Sequence, residues 1–202
     1  MNDIERRIQS AGRVELRKAD GEAKAVTLRG YAAKFNTLSE PMYGFREQIA
    51  PGAFSDCLED DVRALFNHDA NHVLGRTTSG TLRVSQDDTG LYYEVDLPDT
   101  QAARDLVVSV ERGDVTQSSF AFRVAPNGDT WDENEDGIVI RTITKMCRLY
   151  DVSPVTYPAY PDATVGMRGL EAYKAGRADE ARGAMSRARQ AEARSRRLRL
   201  IG

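Results

Sequence analysis

Three residues of this chain, Ser119, His68 and Asp151, are of the types that together make a serine hydroxyl reactive. Serine is a weak nucleophile until a neighbouring base takes its proton, and the base needs a third group to fix its tautomer. The chain contains 2 histidines, so the base of such a site must be His68 or His72. His68 follows an apolar run, as at the end of a buried strand that opens into a cleft. Composition alone does not bring these residues together in space.

Two adjacent serines lie in the segment 117–124, and strand geometry distinguishes them. Side chains of a strand alternate between its two faces. Ser118 therefore shares a face with the apolar residues Phe120, Phe122 and Val124. Ser119 shares the other face with Gln117, Ala121 and Arg123. Because substrate must reach a nucleophile, a serine directed into phenylalanines is the weaker candidate, and the pattern favours Ser119.

Two further residues are secondary candidates for the same site. Asp69 is adjacent to His68, but neighbouring residues of a strand point to opposite faces, so Asp69 ranks below Asp151 as the third member. Arg123 is a candidate to support the oxyanion, which needs donors where negative charge develops. A solvated arginine is the commoner case, and backbone N–H groups near the nucleophile are the better donors.

Hydrophobic periodicity predicts a mainly β fold with a few helices. Leu82 to Leu97 alternates around the turn at residues 87–90 and predicts a hairpin. A helix is expected from a cap at Asp99 or Thr100 to a stop at Gly113. Beyond the Ser119 strand, residues 127–137 predict an acidic turn and residues 138–149 a return strand. Several strands with few helices indicate a small closed or partly closed β-barrel.

Charged residues are distributed unevenly along the chain. The net charge is −3, yet residues 166–202 hold ten Lys and Arg against four Asp and Glu, which leaves about −9 for residues 1–165. We expect a polar N-terminal extension over 1–26, a barrel domain over 27–165 and a basic tail over 166–202, helical or disordered. The tail could bind nucleic acid electrostatically, but no aromatic residue beyond Tyr173 could stack on bases, which argues against sequence-specific recognition.

Several function classes are disfavoured by simple patterns. The 2 cysteines form neither a metal spacing nor a disulfide framework, as is typical of a reducing cytosol. Neither a signal peptide nor a run of about 20 apolar residues is present, so we expect a soluble, intracellular protein. His68 and His72 have zinc-pair spacing without the metalloprotease Glu. Residues 132–143 resemble a calcium loop that ends in Ile143 instead of Glu. We expect no metal and no cofactor.

Five segments, in order between residues 27 and 165, resemble the prohead proteases of tailed bacteriophages, the serine peptidases that mature viral capsids. They are RGYAAKFN at 29–36, FREQIAPGAF at 45–54, FNHD at 66–69, GDV at 113–115 with SFAF at 119–122, and DVSPVTYPAYP at 151–161. The chain departs from the family in two places. Ser118 and Ala121 stand where members often have Met and Gly, and Asp151 stands where Glu is common.

The resemblance implies a serine endopeptidase with Ser119, His68 and Asp151 as its catalytic residues and with a barrel like that of the herpesvirus assemblins. His72 is an alternative third member, because assemblins use a second histidine there. The implied substrates are the major capsid protein or a scaffold protein, and the enzyme itself, inside the procapsid in the host cytoplasm. A homodimer is plausible by analogy. The alternative functions are a catalytically inactive assembly or scaffold protein and a packaging protein associated with nucleic acid.

Overall fold

The computed structural model describes residues 4–18, 26–42, 44–157 and 164–199, and these ranges hold twelve strands and two α-helices. In the first half, the strands are β1 (Glu5–Arg13), β2 (Glu15–Lys18), β3 (Val26–Lys34), β4 (Phe45–Ile49), β5 (Arg63–Phe66), β6 (Asp69–Arg76), β7 (Leu82–Gln86) and β8 (Gly90–Asp96). Helix α1 (Gln101–Arg112) precedes β9 (Gln117–Val124), β10 (Asp129–Glu133), β11 (Val139–Ile143) and β12 (Met146–Val155). Helix α2 (Thr164–Arg199) follows.

The described strands form three open sheets. Their strand orders are β1-β9-β12-β5-β6, β10-β11-β4 and β2-β3-β8-β7. Neighbouring strands are antiparallel except in two pairs, β12 with β5 and β11 with β4. The mainly β class is confirmed, but the small barrel is not, because each of these sheets ends on two edge strands and no described pairing closes a ring.

Two local predictions are confirmed. Strands β7 and β8 form the expected antiparallel hairpin, and the Asp87 carboxylate accepts hydrogen bonds from the backbone N–H groups of Thr89 and Gly90 in its turn. Helix α1 begins after Thr100, whose hydroxyl accepts a hydrogen bond from the Ala103 N–H at 3.3 Å. The helix ends at Gly113, which has a left-handed φ of 81°, a conformation that glycine adopts at little cost.

The region after β9 differs from the prediction. Strand β10 lies inside the segment expected to be an acidic turn, and the expected single return strand is divided into β11 and the beginning of β12. Strand β11 pairs with β10, whereas β12 pairs with β9. The chain turns between them because Thr144 and Lys145 both donate their backbone N–H groups to the Gly128 carbonyl, at 2.8 and 3.0 Å. This turn places β12, which carries Asp151, directly beside β9.

The N-terminal residues also differ from the expected polar extension. Strand β1 pairs with β9 and β2 pairs with β3, so residues 5–18 belong to the sheets. Glu5 and Arg7 are buried, and their charges are satisfied by other buried charges instead of by water. The chain divides into two compact units, Met1–Ala163 and Thr164–Gly202, and the first unit therefore contains β1 and β2.

Aromatic packing on one face of β9 forms the centre of the core. The Phe120 ring stacks on Phe122, with ring centroids 4.9 Å apart, and meets Phe54 edge-on at 5.7 Å. On the same face, the Ser118 hydroxyl is 2.7 Å from the Tyr93 hydroxyl of β8. Complete burial raises the pKa of Tyr93, so this phenol stays neutral and hydrogen-bonded. Ser118 is therefore a core residue, as the alternation predicts.

The second unit contains the long helix α2. None of the helices in the described ranges is long and apolar enough to cross a membrane. Both cysteines are free thiols, with Cys57 buried and Cys147 partly exposed.

Candidate active site

Three neighbouring strands bring the candidate catalytic residues together. Ser119 lies on β9 and Asp151 on β12, and the antiparallel register pairs Ser153 with Ser119 and Asp151 with Ala121. All four side chains therefore lie on one face of the sheet. Strand β5 lies on the other side of β12, and His68 follows β5 in the turn that leads into β6.

The side chains of Ser119, His68 and Asp151 form a continuous line of short contacts. The His68 Nε2 atom lies 2.6 Å from the Ser119 Oγ atom. The Nδ1 atom of the same imidazole lies 2.6 Å from the Asp151 Oδ1 atom. This is the geometry in which a carboxylate fixes the imidazole tautomer and the free ring nitrogen can accept a serine proton. The structure thus brings together the three residues that the sequence predicts, and their catalytic roles stay a prediction.

His68 is held in place by a two-residue turn. Asn67 and His68 both have left-handed φ values, 55° and 58°, and the flanking residues Phe66 and Asp69 pair across the hairpin. Such turns require positive φ at both central residues, and asparagine accepts that conformation more readily than most residues. The Asn67 side chain also bonds Thr156 twice, through its amide nitrogen at 3.1 Å and its oxygen at 2.8 Å. The turn is thereby fastened to the end of β12.

Ser153 is a member of the site that sequence reasoning missed. Its hydroxyl donates a hydrogen bond to the Asp151 Oδ1 atom at 2.8 Å and lies 3.4 Å from the His68 Nδ1 atom. The Asp151 oxygen that faces the imidazole is thus held by a second donor. The signal was present in the sequence, because residues two apart on a strand share a face.

The rival third members lie elsewhere. The Asp69 carboxylate accepts hydrogen bonds from the backbone and side chain of Asn71, both at 2.8 Å, and these bonds lower the pKa of Asp69. The His72 Nε2 atom lies 3.8 Å from the Asp69 Oδ2 atom, and both side chains are nearly half exposed. The structure therefore pairs Asp69 with Asn71 and His72 instead of with the Ser119–His68 pair.

Arg123 is separated from the nucleophile along its own strand. It lies four residues from Ser119 along β9, a separation of about 13 Å on an extended strand. Its side chain is exposed, and its Nε donates to the Cys147 Sγ atom at 3.4 Å. Oxyanion support by Arg123 thus remains a prediction from the sequence alone.

The accessibility of the site differs from expectation. Ser119 was expected to be within reach of substrate, but it has no exposed surface. The side chains of His68 and Asp151 are 8% and 9% exposed. The Ser119 Oγ atom also lies 3.0 Å from the backbone carbonyl oxygen of Arg7, so β1 covers the nucleophile from the sheet edge.

In the described ranges, no group of three or more His, Cys, Asp and Glu side chains could hold a metal ion. His68 and His72 lie on a hairpin, not on a helix. The acidic residues 132–136 lie at the end of β10 and in the tight turn that leads toward β11.

A second set of polar residues is buried between β1, β4 and β11. We call Glu5, Arg7, Glu47 and Arg141 the buried charge cluster. The Arg7 guanidinium lies 2.6 Å from Glu47 and 2.5 Å from Glu5. Arg141 lies 2.7 Å from Glu5 and 2.9 Å from Glu47. Burial alone would lower the pKa of each guanidinium, but the two carboxylates outweigh it and raise the pKa of both.

Arg141→Ala is expected to lower the free energy of unfolding by about 3–5 kcal/mol, because Glu5 and Glu47 would lose a buried counter-charge. Urea denaturation of the whole chain measures the loss. The matched control is Arg83→Ala, which removes an arginine whose ion pair with Asp96 is about half exposed and should cost about 0–1 kcal/mol. Equal losses in the two variants would contradict the assignment of the cluster as a buried network.

Comparison with protein-family models decides the family. The model described as caudovirus prohead serine protease matches residues 12–175. The chain belongs to this family. The resemblance seen in the five sequence segments is thereby confirmed, and the match begins within β1, upstream of the first of them. The family is one of serine peptidases, which agrees with a site built around a serine.

Among solved structures, this member of the prohead protease family is similar to the capsid assembly protease gp21 of bacteriophage T4. The TM-score is 0.47 and the sequence identity 9%, over 76% of this chain and 99% of that chain. None of the curated proteins matches the chain.

Proposed function

We propose that this protein is a serine endopeptidase of phage head assembly, with Ser119 as nucleophile, His68 as general base and Asp151 as the group that orients the imidazole. The observation that carries the proposal is the unbroken line of contacts from Ser119 through His68 to Asp151, at 2.6 Å each. Membership of the prohead serine protease family supports the same assignment.

The arrangement performs acyl transfer in two steps. With its Nδ1–H donating to Asp151, His68 has a free lone pair at Nε2. The Ser119 Oγ atom attacks the carbonyl carbon of the scissile peptide, while its proton passes to Nε2. The imidazolium then protonates the leaving nitrogen as the C–N bond breaks, which leaves an acyl-enzyme and a free amine. A water molecule repeats the sequence on the acyl-enzyme and regenerates Ser119. The chemistry uses no cofactor.

The substrates proposed for this site are the scaffolding segment of the major capsid protein or a separate scaffold protein, together with the protease itself. The family supports this choice, since its members act in the prohead. Charge supports it as well, because the basic tail of residues 166–202 complements acidic surfaces of a scaffold or capsid protein. In this proposal the protein acts inside the procapsid in the host cytoplasm, and the tail serves for docking or is itself cleaved.

A catalytically inactive assembly protein is the competing function, and the complete burial of Ser119 is the observation that favours it. Labelling separates the two. Full-length protein, assembled with its capsid protein, is treated with a fluorophosphonate, and the labelled peptide is identified by mass spectrometry. If the protein is a peptidase, the reagent should label Ser119 in the native protein but not in protein that is denatured before treatment. Unlabelled Ser119 together with full-length capsid protein in well-formed shells would support the assembly protein.

A further inference from the structure

Strand β1 pairs along one edge of β9, the strand that carries Ser119. In the antiparallel register, Ile8 pairs with Ser119 and Arg7 pairs with Phe120. The carbonyl oxygen of Arg7 lies 3.0 Å from the Ser119 Oγ atom. An extended peptide thus already lies against the nucleophile, with one carbonyl group in hydrogen-bond contact with it.

This contact competes with catalysis. A serine hydroxyl has a single proton to donate. The Ser119 hydroxyl can donate that proton to the His68 Nε2 atom or to the Arg7 carbonyl, and the two acceptors are 2.6 and 3.0 Å away. When it donates to Arg7, His68 has no proton to take. Together with the burial of Ser119, this describes a closed form of the site.

The Glu5 and Arg7 side chains of β1 are recognised by complementary charges. Glu5 and Arg7 are two residues apart, so both lie on one face of β1. Glu5 contacts Arg141, and Arg7 contacts Glu47. All four side chains are at most 5% exposed. Main-chain pairing along a sheet edge, combined with pockets for alternate side chains, is how extended peptides are recognised by strand addition.

We propose that the edge of β9, together with Glu47 and Arg141, is a peptide-binding site and that β1 is its resident occupant. The inference rests on the proposed function, since it names the substrate class of the same site. That class is an extended segment with a carboxylate residue and, two positions later, a cationic residue. It binds antiparallel to β9 in the place of β1, with the carbonyl of its cationic residue at Ser119.

Tethering explains how β1 holds the site against other peptides. A segment of the same chain competes at an effective concentration in the millimolar range. Only a substrate at a comparable concentration, such as that inside an assembling shell, displaces β1 from the edge of β9. Residues that fasten β1 therefore set the fraction of protein that is open to substrate.

The test measures the rate of Ser119 labelling by a fluorophosphonate in full-length protein. Glu5→Ala with Arg7→Ala removes the side chains that fasten β1. Labelling is expected to rise about tenfold or more as the open fraction grows. The matched control is Glu15→Ala with Arg17→Ala, which removes the same two residue types at the same spacing from β2, where both are exposed. Its labelling rate should equal that of the wild type.

A second variant covers the case in which loss of the buried charges unfolds the protein. Gln9→Pro keeps the buried charge cluster intact and removes a backbone N–H that faces β9, because Gln9 shares the main-chain orientation of Arg7 and pairs with Ser118. Labelling should again rise. A peptide with the sequence of residues 4–13, added to this variant, should slow labelling. The same peptide with Glu5→Arg and Arg7→Glu has identical composition and should leave labelling unchanged.

The outcomes separate the two proposals. Faster labelling of Gln9→Pro, suppressed by the native peptide alone, supports the peptide site. Labelling that stays at the wild-type rate in a folded Gln9→Pro protein, or equal protection by both peptides, overturns it while Ser119 remains a nucleophile. The absence of labelling in every variant, with no capsid cleavage, overturns the proposed function and the peptide site with it.

Discussion

Ser119→Ala is expected to reduce cleavage of the capsid protein by about six orders of magnitude, the scale of loss when the nucleophile of a serine protease is removed. Without its Oγ atom no acyl-enzyme can form, whereas the His68–Asp151 contact remains. The measurement is the intact mass of this chain and its capsid protein after co-expression, for wild type and variant. Shortened products in the wild type alone would identify Ser119 as the nucleophile.

The matched control for this experiment is Ser118→Ala, one residue away on the opposite face of β9. Its hydroxyl bonds Tyr93 in the core, so its loss leaves a buried phenol without that partner and should cost about 1–3 kcal/mol of stability. Cleavage should persist in this variant at temperatures where it is folded. Identical truncation of the capsid protein in wild type and Ser119→Ala would move the nucleophile to Ser118 or implicate a host protease.

Asp151→Asn is expected to slow acylation of Ser119 by about four orders of magnitude, with substrate binding little changed. The neutral amide can donate to the His68 Nδ1 atom, which places the ring proton on Nε2, where it cannot accept the serine proton. The amide nitrogen takes the place of Oδ1 and can donate its second N–H to the Ser153 hydroxyl, which contacts Oδ1 in the wild type. The side chain thus keeps its position, and the effect reports the tautomer and not a displaced residue. Single-turnover cleavage of a peptide substrate measures it.

Asp69→Asn is the control for this change, since it makes the same substitution in a carboxylate that contacts Asn71 and His72. It should acylate at close to the wild-type rate. A larger loss in Asp69→Asn than in Asp151→Asn would assign the third position to Asp69. A loss of similar size in His72→Ala would assign it to the second histidine, as in the assemblins.

The elements that the sequence predicts correctly are those with local signals. The hairpin of β7 and β8 has alternating apolar residues on both sides of an aspartate-glycine turn, and α1 has a threonine cap and a glycine stop. Alternation also places Ser118 in the core and Ser119 on the other face. Each of these signals is contained within about 20 residues of chain, where geometry depends on neighbours in sequence.

The features that were missed depend on distant parts of the chain. Strand β1 buries the charged residues Glu5 and Arg7. Their burial is possible only because they meet Glu47 and Arg141. Nothing in residues 1–26 alone indicates that partner set. The division of the return strand depends on Gly128, whose carbonyl oxygen accepts hydrogen bonds from the backbone N–H groups of residues 144 and 145. The burial of Ser119 likewise follows from β1, more than a hundred residues upstream.

The turn at residues 67–68 constrains how this protein can change over time. Surface loops ordinarily accept extra residues, because lengthening a loop costs little entropy. Here one inserted residue would displace the imidazole by about 3 Å, since that is the reach of one residue of chain. The register of β5 against β6 would shift as well. The number of residues between these strands should therefore be invariant among working descendants, even where the strands themselves diverge, whereas the hairpin tip at residues 134–137 is free to grow.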